Sequence, residues 1–84
     1  MDKPLAQVLI VDDHPLYLDG VTALLRDLFG PVNILQAATG RDALAIAGAR
    51  SDLDWIFLDY TLPDCTGLTL LRTLREKMIT APVV

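Results

Sequence analysis

The stretch Val8-Leu9-Ile10-Val11-Asp12-Asp13-His14-Pro15 decides how this chain is read. Its continuous apolar run does not suit a strand with one wet face; it suits a strand covered on both faces, as in a parallel sheet. Two acids follow at the carboxyl end, and Pro15 then fits the first turn of a helix, where its missing N–H leaves no bond unmade. A second run, Trp55-Ile56-Phe57-Leu58, also closes on an acid, Asp59. Parallel strands bring their carboxyl ends to one rim, so Asp12, Asp13 and Asp59 are expected to converge there. Close carboxylates repel one another unless a cation holds them.

Around these runs, β-like and helix-like patterns alternate, which argues for βαβ units. The first strand, from about Ala6 to Asp12, is expected at the centre of the sheet. Leu18, Val21, Leu25 and Leu28 recur at helical spacing until Gly30-Pro31 stops them, predicting a helix over 15–29. Val32 to Ala38, interrupted by Asn33 and Gln36, suits an edge strand. Thr39 is placed to cap a second helix with Asp42 at its third position, and Ala43, Leu44 and Ala47 then face the sheet. Asp52-Leu53-Asp54 turns the chain into the third strand, Trp55 to Asp59, with Trp55 filling core at its start. The stretch Tyr60 to Gly67 reads as a loop. Thr66 then caps a third helix with Leu70, Leu71 and Leu74 as its buried stripe, and Ala81-Pro82-Val83-Val84 opens a fourth strand.

Eighty-four residues allow at most one domain, and 52% hydrophobic against 21% charged residues, with mean hydropathy +0.42, excludes a disordered chain. A net charge of −4 leaves no basic stripe for phosphate backbones, so no nucleic-acid binding is expected of this segment. No apolar run approaches the ~20 residues of a membrane span. Met1-Asp2-Lys3-Pro4 also lacks the layout of a secretion signal, and a cytoplasmic location is expected. The single cysteine, Cys65, can form no internal disulfide.

An acidic βα turn is the reverse of a nucleotide-binding one, which uses glycines and bare N–H groups, and neither phosphate-loop motif occurs here. Carboxylates at that place would repel phosphate unless a metal inverted the local charge. Mg²⁺ is the natural candidate, because it takes oxygen ligands, keeps several waters and commonly joins carboxylates to a phosphoryl group. Asp59 could then act as a nucleophile that forms an aspartyl-phosphate.

Val11-Asp12-Asp13-His14-Pro15 and the loop Asp59-Tyr60-Thr61-Leu62-Pro63-Asp64-Cys65-Thr66-Gly67 together resemble the receiver domain of two-component response regulators, whose loop reads D-x-x-[LM]-P-x-x-x-G. With Asp19-Gly20, the first stretch is most similar to regulators that carry a C-terminal helix-turn-helix DNA-binding domain. The resemblance implies a flavodoxin-like, doubly wound α/β sheet with strand order 2-1-3-4-5, here ending within the fourth strand, so that 1–84 forms a partial receiver with no second domain. It implies that Asp59 accepts a phosphoryl group from a sensor histidine kinase and that transcription is controlled through a DNA-binding domain outside this chain. Mg²⁺ would be held by Asp13, Asp59 and the backbone carbonyl of Thr61, with Asp12 acting through water; Pro63 and Gly67 would shape the loop. Receivers also carry a Ser or Thr after the fourth strand and a Lys after the fifth. The lysines here, Lys3 and Lys77, follow no apolar strand.

The remaining polar residues have plain readings. Asp64 is taken as a turn or surface acid, His14 as a helix N-terminal residue and Cys65 as a loop thiol. Two further functions stay open: a degenerate or truncated receiver acting only through protein contacts, and a phosphohydrolase with an aspartate nucleophile. The second typically places D-x-D after its first strand, whereas the D-x-D here, Asp52-Leu53-Asp54, precedes one. Two missing strands and two missing helices would leave apolar faces and an unpaired edge, so self-association is also expected.

Overall fold

The computed structural model describes residues 5–84; Lys3 and the leader segment considered above lie outside them. The elements run β1 (Ala6–Val11), α1 (Pro15–Phe29), β2 (Val32–Ala37), α2 (Gly40–Ala49), β3 (Trp55–Leu58) and α3 (Gly67–Glu76). The strands form one parallel sheet in the order β2-β1-β3. Ala6 is level with Val32 on one side of β1, and Val8 is level with Trp55 on the other. Beyond β3 the segment Pro82–Val84 continues the ladder: Ile56 N–H donates to Pro82 O at 2.8 Å, Val84 N–H to Ile56 O at 2.8 Å and Leu58 N–H to Val84 O at 3.1 Å. The expected order 2-1-3-4 is thus present as far as the chain reaches.

The unbroken apolar run of β1 serves two cores. Successive strand residues point to opposite faces. Leu9 and Val11 pack with Ala43 and Ala47 of α2 and Leu70 and Leu74 of α3, whereas Val8 and Ile10 pack with Leu18 and Leu25 of α1. Leu9 is fully buried and Ile10 only 1% exposed, so neither face of the central strand meets water. Small residues on α2 let that helix lie close to the sheet.

Thr39 and Thr66 cap α2 and α3, accepting from the N–H groups of Asp42 at 3.1 Å and Thr69 at 3.2 Å. At its other end α3 closes in a Schellman motif: Ile79 N–H donates to Leu74 O and Met78 N–H to Arg75 O. The left-handed position there is held by Met78, at φ 62°, rather than by glycine.

Three expectations need correction. All three strands end one residue early, at Val11, Ala37 and Leu58, so Asp12 and Asp59 open the rim loops instead of closing the strands. Leu28 is 64% exposed, because it lies about 80° around the helix from Leu18. Trp55 is 46% exposed rather than core. α1 lies toward β2 and leaves the same face of β3 open, and Trp55 and Phe57 there border an apolar groove of about 490 Å³.

Candidate functional site

Two backbone hydrogen bonds beyond the regular ladder build the rim. Asp12 N–H donates to Ala37 O and Asp59 N–H to Val11 O, each at 2.9 Å, which sets the two acids side by side where the strands end. One ligand atom from each of Asp12, Asp13, His14 and Asp59 lies within 4.8 Å of all the others. The convergence of the three carboxylates expected from the strand ends is therefore present. Asp12 is the buried member, at 5% exposure. The N-terminus of α1 begins at Pro15, and its free N–H groups favour negative charge nearby.

His14 contributes what the sequence did not disclose. Its backbone N–H donates to Asp12 Oδ1 at 3.0 Å, closing an Asx-turn, and this folds the ring back over the acids. Nδ1 then lies 2.5 Å from Asp12 Oδ1, 3.1 Å from Asp13 Oδ1 and 4.0 Å from Asp59 Oδ2. The bond to Asp12, followed by the charge of Asp13, raises the imidazole pKa above its ordinary 6.5. The sequence signal that could have found this is an Asp two residues ahead of a helix N-cap, the spacing of an Asx-turn.

The other predicted residues lie in the loop from β3 to α3. Thr61 pairs with Thr66 across the loop, and Leu62 N–H donates to Cys65 O at 2.9 Å, with Pro63 inside the turn so formed. Leu62 is buried beneath α2 and α3 and anchors the loop from below. Gly67 N–H donates to Tyr60 O at 2.6 Å, and a Cβ at Gly67 would fall on the carbonyl oxygen of Asp59. Glycine is required here for close approach, since nothing larger lets α3 start against the back of the acid. Pro63 and Gly67 carry no side-chain donor atom, so neither adds a ligand to the acidic cluster.

Asp64 is more than a surface acid. Its carboxylate accepts from the N–H groups of Gly40 at 2.8 Å and Arg41 at 3.0 Å, tying the loop to the start of α2. Those two bonds hold its pKa below the ordinary 3.8. Beside it the Cys65 sulfur rests against Gly40, and burial, then the Asp64 charge, pushes the thiol pKa up. Lys77 caps the C-terminal end of α3, the end opposite the one that starts against Asp59. Asp52 and Asp54 sit at the opposite end of β3, engaged with Arg50 and the Gln7 N–H.

The oxygen-rich cluster, with one member buried, matches the ligand chemistry of a small hard divalent cation. No helix among the described residues is long and apolar enough to cross a membrane.

Residues 8–84 match the family model for the response regulator receiver domain. The chain is 40% identical over 78 residues to the nitrate/nitrite response regulator protein NarP of Escherichia coli, covering 93% of this chain and 36% of that protein. It is 37% identical over 78 residues to the glycerol metabolism activator of Pseudomonas putida, covering 93% of this chain and 35% of that protein. It thus spans about a third of the length of the curated relatives it matches. Among solved structures, the MaeR response regulator bound to beryllium trifluoride superposes with a TM-score of 0.87 at 26% identity, covering 95% of this chain and 65% of that one. The CheY-like receiver domain from Methylobacillus flagellatus gives 0.76 at 35% identity, covering 86% and 58%. With the fold, the rim acids and the family match in agreement, the chain belongs to the response regulator receiver domain family.

Proposed function

We propose that this chain is a phosphoacceptor module that receives a phosphoryl group on Asp59 from the phosphohistidine of a sensor histidine kinase. A carboxylate oxygen of Asp59 attacks phosphorus, the phosphorus–nitrogen bond breaks with its electron pair returning to the donor imidazole, and an aspartyl-phosphate forms. The observation that carries this reading is the gathering of Asp12, Asp13 and Asp59 within 4.8 Å at the carboxyl rim. Asp13, Asp59 and the Thr61 carbonyl would hold Mg²⁺, with Asp12 acting through water. Bound there, the ion would neutralise charge as the phosphoryl group arrives. Pro63 and Gly67 keep the loop against the acceptor. The module has no turnover of its own substrate in this reading; it acts in the cytoplasm and passes its state to a transcriptional output, a reading supported by a 39% identical relative named as a probable transcriptional regulatory protein.

Beryllium trifluoride as phosphoryl mimic tests the assignment. Uptake should require Mg²⁺ and vanish in Asp59→Asn; strong uptake by that variant would sink it. Self-association belongs to the same reading, supported by Leu5, Phe29, Trp55 and Val84, which are exposed around the groove beside α1.

A further inference from the structure

We propose that His14 is a competing occupant of the acidic pocket, a side chain that must swing out before Mg²⁺ can enter. This rests on the metal reading above. Nδ1 is 2.5 Å from Asp12 Oδ1 and 3.1 Å from Asp13 Oδ1, so the ring occupies the space between the carboxylates that a divalent ion would take. Apart from these acids and Asp59 at 4.0 Å, no side chain among the described residues bonds to it. The side chain is 68% exposed, its one side-chain hydrogen bond is to Asp12, and it gives α1 no side-chain cap. The ring is therefore free to leave toward solvent, and its backbone N–H can keep the bond to Asp12 Oδ1 as it does so.

The position makes His14 a positioning residue rather than a ligand. An imidazole nitrogen is a good ligand for softer divalent metals, but Mg²⁺ prefers carboxylate, carbonyl and water oxygens. Its departure would leave Asp12, Asp13 and Asp59 with the oxygen set that suits Mg²⁺. Each binding event must then break the imidazole–carboxylate contact, and the apparent affinity falls by the cost of breaking it.

The test is calorimetric titration of Mg²⁺ alone into the wild type, His14→Ala and Asp13→Asn at one fixed pH, with no phosphodonor present. His14→Ala should bind roughly two- to tenfold more tightly, the range expected for a single hydrogen-bonded contact removed from the competing state. Equal or weaker binding by His14→Ala would overturn the inference and leave the metal reading intact. If the wild type and His14→Ala both fail to bind, or Asp13→Asn binds as well as the wild type, the metal reading itself falls, and the inference with it. A second measurement does not depend on affinity. The chain has one histidine, so its Nδ1–H resonance can be followed without ambiguity in the ¹⁵N-labelled protein. Loss of the Asp12-bonded signal on Mg²⁺ saturation supports displacement. Its persistence would show ring and ion together in the pocket and overturn the proposal.

Discussion

Replacing Gly67 with alanine should damage the domain and the site through one contact. The added Cβ falls on the carbonyl oxygen of Asp59, 3.2 Å from Tyr60 Cα and 3.3 Å from the Asp59 carbonyl carbon, all of them backbone atoms that no rotamer change can move. Relief requires the start of α3 to back away. That helix is pinned by Leu70 and Leu74, each 1% exposed against the sheet. Overpacking of this kind costs about 1–3 kcal/mol. The better helix propensity of alanine returns up to about 1 kcal/mol. A clash against backbone takes the upper part of that range, about 2–3 kcal/mol, so subtracting about 1 leaves about 1–2 kcal/mol, a fall in melting temperature of roughly 5–15 °C for a domain of this size. Thermal unfolding followed by circular dichroism measures it, and Mg²⁺ titration of the same protein should show weaker binding, because the start of α3 that backs away is what holds the Asp59 backbone from behind. A variant that melts within about 2 °C of the wild type and binds Mg²⁺ equally would refute the close-approach argument.

Asp64→Asn should lower the melting temperature at neutral pH, because the two bonds from Gly40 and Arg41 lose their charged acceptor. The folded-state pKa of Asp64 lies below its ordinary 3.8, so its contribution is complete above that value and is lost as pH falls through the lower folded value. The gap between wild type and variant should therefore close in acid; a gap constant from neutral pH to pH values below 3.8 would contradict the assignment. Met78→Gly should stabilise: a left-handed non-glycine residue costs about 1–2 kcal/mol, glycine loses about 0.5–1 kcal/mol in chain entropy, and Met78, 84% exposed, gives up little packing. An unchanged or lower melting temperature would show that the strain is absent. Sedimentation should reveal a concentration-dependent dimer weakened by Phe29→Glu, and a monomer at the highest soluble concentration would remove self-association from the reading.

Much of this protein is written locally. The apolar run Val8 to Val11 called for a doubly covered central strand, and β1 supplies one residue after another to two separate cores. The bounds of α1 follow from Pro15 and Gly30-Pro31, and both threonine caps sit where a hydroxyl three residues ahead of a free N–H predicts them. Asp12, Asp13 and Asp59 were legible as a group because strand direction alone carries their backbones to one rim. Pairing patterns, breakers and caps act over a few residues, so a linear reading captures them.

What escaped that reading depends on how elements lie across one another. Trp55 looks like a core residue in its own segment, yet its exposure is set by the side of the sheet over which α1 comes to rest. Asp64 meets its partners at Gly40 and Arg41, which lie in another element, and no local pattern forecasts that contact. His14 stands at the N-terminus of α1 as its place before Pro15 implies, but its ring comes within 4.0 Å of Asp59 only because β1 and β3 end side by side. Residue type and periodicity determined the sheet, its helices and the acids at its rim. Tertiary packing decided that Asp12 is buried and how the acceptor loop is tied down, because these are contacts between segments distant in sequence.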